Sequence, residues 1–123
     1  MIEKKENIII KKSFDFAVRI IKLYQYLCKE KNEFVMSKQL LRSGTAVGAL
    51  VREAQNAESK ADFIHKLGIA QKECDESIYW IELLEHTDYL TDNEAKSIRT
   101  DAGELLKIIR SAILTSKKSI NKL

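Results

Sequence analysis

The sequence predicts an all-α protein, an antiparallel up-down-up-down four-helix bundle, and three observations carry that prediction. The chain of 123 residues has no proline and only four glycines. Proline breaks helix interiors and glycine weakens them, so their scarcity favours long uninterrupted helices. Apolar residues recur at three- and four-residue spacing along four segments, the rhythm of amphipathic helices rather than strands. Two capping boxes, Ser59-Lys60-Ala61-Asp62 and Thr91-Asp92-Asn93-Glu94, mark helix starts inside the chain. This length suits one domain, large enough to bury a core without disulfides or metal.

The first predicted helix runs from Phe14 to Lys31 with Ser13 as its N-cap. Ala17, Ile20, Tyr24 and Leu27 form its stripe, whereas Phe16, Val18, Leu23, Ile21 and Cys28 lie off it. More than half of the circumference is apolar. One stripe suffices for a helix on a single bundle, so the excess predicts a homo-oligomer. Residues 1–12 read as an N-terminal arm, and residues 13–123 as the bundle. A loop over 31–35 leads to the second helix, Ser37 to Asn56, whose face is Leu40, Gly44, Val47, Val51 and Ala54. Gly44, Ala46, Gly48 and Ala49 are small enough to let a neighbouring helix approach closely. The third helix starts at the Ser59 box and ends near His86. Its row is Phe63, Leu67, Ala70, Cys74, Ser77, Ile81 and Leu84, at coiled-coil-like spacing. A short turn over 87–90 precedes the fourth helix. There Ile98, Ala102, Leu105, Ile109, Ala112 and Ser116 form the core row, reinforced by Leu106, Ile113 and Ile120. Short connections make consecutive helices antiparallel neighbours.

Charge is segregated along the chain. Residues 1–52 carry 11 basic and 5 acidic side chains, residues 53–94 carry 3 and 11, and residues 95–123 carry 7 and 2. The net values are +6, −8 and +5. Lys12, Arg19, Lys22 and Lys29 form a row on the first helix; Lys96, Arg99, Lys107, Arg110 and Lys117 form one on the fourth. In a closed bundle these helices adjoin, so the rows can merge into a basic face that binds RNA or DNA phosphates by charge. The plainer reading is a solvated helix face. Few aromatics and no RNA-reading motif argue against sequence-specific readout.

Candidate reaction chemistry is sparse. A di-metal bundle needs two Glu-x-x-His pairs and two further carboxylates; the chain has two histidines, and only Asp62-x-x-His65 has the spacing. No Gly-rich phosphate loop occurs. The sequence therefore points to no catalytic residue, metal or cofactor. Cys28 and Cys74 read as reduced, buried small apolar residues. The apolar run Ile8 to Ile10 is too short for a signal peptide or membrane span. The expectation is a cytoplasmic protein with no membrane contact.

Several motifs resemble a known family. They are Arg42-Ser43, Val47-Gly48, Arg52-Glu53-Ala54, Ser59-Lys60-Ala61-Asp62-Phe63, Phe63-x-x-x-Leu67-x-Ile69-Ala70 and Glu76-Ser77-x-x-Trp80. Between Lys12 and Leu114 the chain resembles the bacterial four-helix-bundle proteins encoded in intervening sequences of large-subunit ribosomal RNA genes. That family looks like the same superfamily as the accessory variability determinant of diversity-generating retroelements. One departure is Glu53-Ala54-Gln55, where many relatives carry Glu-Gly. The resemblance implies a soluble homo-oligomer, a pentameric ring, with no known catalysis. For the retroelement relatives it implies a basic surface that binds nucleic acid and a reverse transcriptase. Among residues in the shared motifs, Arg42, Arg52, Glu53 and Lys66 suit salt bridges between helices or subunits, and Asp62 suits a cap. The alternative function is a structural scaffold or protein-interaction module with no nucleic-acid role.

Overall fold

The computed structural model describes residues 4–121, with side-chain environments from residue 8 onward. Four α-helices follow in order: α1 (Lys4–Lys31), α2 (Met36–Gln55), α3 (Lys60–His86) and α4 (Asp92–Asn121). The described residues contain no strand. Each helix packs on the next in the chain, and α4 returns to touch α1 along the thinnest seam. A bundle with one shared core results.

The core rows keep a three-four spacing, with adjacent buried pairs at Ser43-Gly44 and Leu105-Leu106. On α1 it is Ile9, Ser13, Phe16, Ile20, Leu23 and Leu27, all buried. On α2 it is Ser37, Leu40, Gly44, Val47, Val51 and Ala54, and on α3 Leu67, Ala70, Cys74, Ser77, Ile81 and Leu84. On α4 Ala95, Ile98, Ala102, Leu105, Leu106, Ile109 and Ile113 are buried. The predicted rows of α2 and α3 match closely, apart from a half-buried Phe63. On α4, Ala112 and Ser116 are half-buried, and Ile120 is exposed rather than reinforcing the core.

Helix 1 departs from the sequence reading in two ways. It begins at Lys4, not Phe14, and passes through the position expected to divide arm from bundle; residues 1–3 of that arm lie outside the described residues. Ser13 is not a cap but an interior residue, whose hydroxyl donates to the Ile10 carbonyl at 3.1 Å. Such back-bonding lets a serine sit inside a helix with its polar group satisfied. The stripe is also rotated from the expected one. Phe16 and Leu23 are core, Ala17 and Tyr24 are half-buried, and Phe14, Val18 and Ile21 face outward. Because Ser13 belongs to the buried row, the repeat extends back to Ile9.

Glycines bring α1 and α2 together. A methyl group on Gly44 would lie 2.8 Å from Cγ1 and Cγ2 of Ile20, and one on Gly48 would lie 3.2 Å from the Ser13 carbonyl oxygen. The close approach expected from the small residues of α2 is therefore made with α1.

Helix ends have local causes. α1 stops at Asn32, in the left-handed conformation (φ 52°) that asparagine tolerates better than most residues. α2 has no side-chain cap from Val35. Instead the buried Glu33 carboxylate accepts the backbone N–H groups of Ser37 (2.7 Å), Met36 (3.1 Å) and Val35 (3.2 Å). Burial pushes the Glu33 pKa up, but those three donors outweigh it and hold the group below its ordinary value. The Thr91 capping box forms in full and the Ser59 box by half. Ser59 Oγ accepts from Asp62 N at 3.0 Å. Thr91 Oγ1 accepts from Glu94 N at 3.2 Å, and Glu94 Oε1 accepts in return from Thr91 N at 2.8 Å. Asp62 instead reaches the N–H of Glu58 at 3.2 Å.

Candidate nucleic-acid interface

The nine basic residues proposed from the sequence divide into two groups. Three are tied to acids within the bundle. Arg19 donates to Asp101 Oδ2 at 2.5 Å and to Ser97 Oγ at 2.7 Å. Lys12 approaches Glu104 Oε2 at 3.7 Å, and Arg99 pairs with Glu85 across α3 and α4. The other six, Lys22, Lys29, Lys96, Lys107, Arg110 and Lys117, are exposed and have no ion-pair partner among the described residues.

This division changes the shape of the basic surface. Asp101 and Glu104 stand on the α1–α4 seam, between the two rows, and take up Lys12 and Arg19. Of the six cations without an ion-pair partner among the described residues, Lys22 and Lys29 stand on α1 and the other four along the outside of α4. Lys96, Lys107, Arg110 and Lys117 recur there at spacings that keep them on one side of the helix. Leu114, 58% exposed, stands between Arg110 and Lys117.

The residues singled out by the shared motifs lie mainly between α2 and α3. Arg42 donates to Glu73 Oε2 at 3.2 Å and to Glu76 Oε2 at 2.5 Å. Trp80 Nε1 donates to the same Glu76 oxygen at 3.0 Å. The Trp80 bond, with Arg42 adding to it, holds the Glu76 carboxyl below its ordinary pKa against the opposing effect of burial. Lys66 meets Glu53 at 3.3 Å. Deeper in the same seam, the Ser43 and Ser77 hydroxyls share a hydrogen bond of 2.9 Å. Arg52 is exposed, has no ion pair among the described residues, and lines a groove between α1 and α2. Sequence reading missed Glu73 and Glu76 as partners of Arg42, and Trp80 as the second donor to Glu76. Their spacing on one side of α3, three and four residues apart, was the available signal.

Reactive groups are not gathered. Among the described residues no cluster of three or more His, Cys, Asp or Glu could hold a metal ion. His65 and His86 stand at opposite ends of α3, about 32 Å apart along the axis at 1.5 Å per residue. Both cysteines are free thiols. Cys74 is buried, its thiol pushed up to about 12, first by desolvation and then by Asp75. A thiol so protonated is a poor nucleophile. No helix among the described residues is long and apolar enough to cross a membrane.

Fold and surface together define a small helical bundle in which polar contacts tie helix to helix while a basic row faces outward. Residues 5–111 match the sequence profile of the 23S rRNA-intervening sequence proteins, and the chain belongs to that family. It is also similar to a crystal structure of a protein of unknown function from the S23 ribosomal protein family of Bacteroides thetaiotaomicron. The two are 53% identical, with a TM-score of 0.88, over 89% of this chain and 97% of that one. No curated protein matches the chain.

Proposed function

We propose that this protein is a non-enzymatic cytoplasmic accessory factor. Its bundle is up-down-up-down, its copies assemble into a ring-shaped homo-oligomer (a pentamer), and the ring binds RNA or DNA through phosphate charge. The observation that carries the binding role is the row Lys107, Arg110 and Lys117, exposed on α4 without an acidic partner among the described residues. Each subunit offers weak contacts, and repetition around a ring makes them act together. Alternating helix direction is supported by the seams. Arg19 faces Asp101 while Lys12 faces Glu104, and Arg42 faces Glu76 while Glu53 faces Lys66. Residue numbers thus fall on one helix as they rise on its neighbour. Assembly is supported by the apolar outer side of α1, where Phe14, Val18 and Ile21 remain exposed in a single copy.

Fluorescence anisotropy with a labelled single-stranded RNA tests the binding role. Neutralising three phosphates makes binding at least about tenfold weaker at 200 mM than at 50 mM salt, with little dependence on base sequence. Replacing Lys107, Arg110 and Lys117 together by alanine should abolish it. No binding at low salt would remove the nucleic-acid role. One observation favours a second reading, in which α4 binds a protein, including a reverse transcriptase. Leu114 gives the basic row an apolar centre that suits an acidic amphipathic helix. A partner retained after nuclease treatment and lost in Leu114→Lys would favour that reading.

A further inference from the structure

We propose that the groove between α1 and α2 of one copy receives the Tyr79 side of α3 from a second copy. This rests on the assembly reading above and names the surfaces that meet. The groove has a volume of about 440 Å³ and is lined by Ile10, Phe14, Ala17, Gly48, Ala49 and Arg52, among others. Phe14 is 56% exposed at its edge, and Val18 and Ile21 extend the apolar surface along α1. The groove exists because glycine at 48 leaves no side chain between the helices. The lining also holds Glu53, which is taken up by Lys66 at 3.3 Å, whereas Arg52 has no ion-pair partner among the described residues.

Beyond α1 the large exposed apolar side chains are Phe34 and Val35 in the first loop, Tyr79 on α3, and Leu114 and Ile120 on α4. Charge decides among them. Leu114 is flanked by Arg110 and Lys117, and Ile120 follows Lys117 and Lys118, so either would bring like charge to Arg52. Phe34 and Val35 lie beside Glu33, whose carboxylate is fully engaged in capping α2. Tyr79 is flanked by Asp75 four residues before it and Glu82 three residues after, on the same side of the helix. Both acids are exposed and unpaired among the described residues. The Tyr79 ring packs edge-to-face on Trp80, centroids 5.3 Å apart. An aromatic pair with acidic flanks is the kind of anchor that fills an apolar groove with a basic rim.

Because the two surfaces differ, the contact is heterologous, and each copy keeps one of each free for the next. Such contacts close into rings or extend into filaments. Burying the acidic side of α3 also leaves the basic row of α4 on the outside of the assembly.

The test combines sedimentation with photocrosslinking. A benzophenone amino acid replaces Tyr79, and the crosslinks are mapped by mass spectrometry. They are expected on residues 10–21 or 45–52 of another copy. Charge reversal at Arg52→Glu or Glu82→Arg should each raise the dissociation constant of the assembly at least about tenfold, and the two together should restore it. An assembled wild type that crosslinks elsewhere, or that ignores both reversals, overturns the docking but leaves assembly standing. A wild type that sediments as a single folded chain overturns both.

Discussion

The seams that α1 makes with α2 and with α4 differ in kind, although one helix supplies a side to each. Against α2 the approach is so close that a methyl group on Gly44 would press on the Ile20 side chain and one on Gly48 on the Ser13 carbonyl. Against α4 the packing is thin, and the named contacts are Arg19 with Asp101 and Ser97 and Lys12 with Glu104, all partly open to water. The first seam fixes where α1 lies; the second trims its surface charge. Close packing in a dry core is sensitive to single methyl groups, whereas exposed ion pairs contribute little because water screens them.

That contrast is tested first at Ile20, where the largest effect belongs. Ile20→Ala should destabilise the protein by about 3 kcal/mol in urea unfolding, because the side chain is fully buried against Gly44. Next comes the hinge of the same seam. Glu33→Ala removes the only side-chain acceptor at the start of α2 seen among the described residues, and should cost about 2 kcal/mol.

Acid titration sharpens the same point. Glu33 and Glu76 both have folded pKa values below their ordinary 4.5. Their ionised forms therefore stabilise the fold above that pH, and the contribution is lost as pH falls through the lowered values. Thermal melting should be flat from pH 7 to 5 and fall below about pH 4. Glu33→Gln should lose part of that acid sensitivity.

A smaller effect distinguishes one glycine from another. Gly44→Ala should cost about 1–2 kcal/mol, since the stiff branch of Ile20 cannot move aside. Gly68→Ala and Gly103→Ala, on the same scale of change, meet open space and should gain up to about 1 kcal/mol from helix propensity. Smallest of all are Lys12→Ala and Arg19→Ala on the α1–α4 seam, each expected within about 0.5 kcal/mol. A loss of 2 kcal/mol at either position would show that the thin seam carries more of the fold than its exposure suggests.

Much of the fold could be read from residue spacing. Ser59 and Thr91 announced α3 and α4 because capping is local chemistry, complete within four residues. The rows of α2 and α3 were legible because their residues keep the three-four spacing even where a small serine, Ser77 on α3, interrupts the apolar run. The start of α1 was not, because a buried Ser13 looks like a cap until its hydroxyl is seen on the Ile10 carbonyl. The Glu33 cap was hidden for a related reason: the carboxylate reaches forward from outside the helix, a geometry that depends on Asn32 turning the chain. In the candidate interface, residue types identified the cations but not which were already neutralised. Asp101 and Glu104 lie more than eighty residues beyond Arg19 and Lys12, so only the folded bundle brings them together.

Assembly through the outward apolar side of α1 is the claim on which the binding role and the docking surface both rest. Sedimentation velocity of the purified protein, alongside Phe14→Glu, tests it most directly. Wild type should sediment at a multiple of 14.1 kDa, and Phe14→Glu should shift toward one copy while its helical circular dichroism is unchanged. A wild type that remains a folded single chain at tens of micromolar would contradict it.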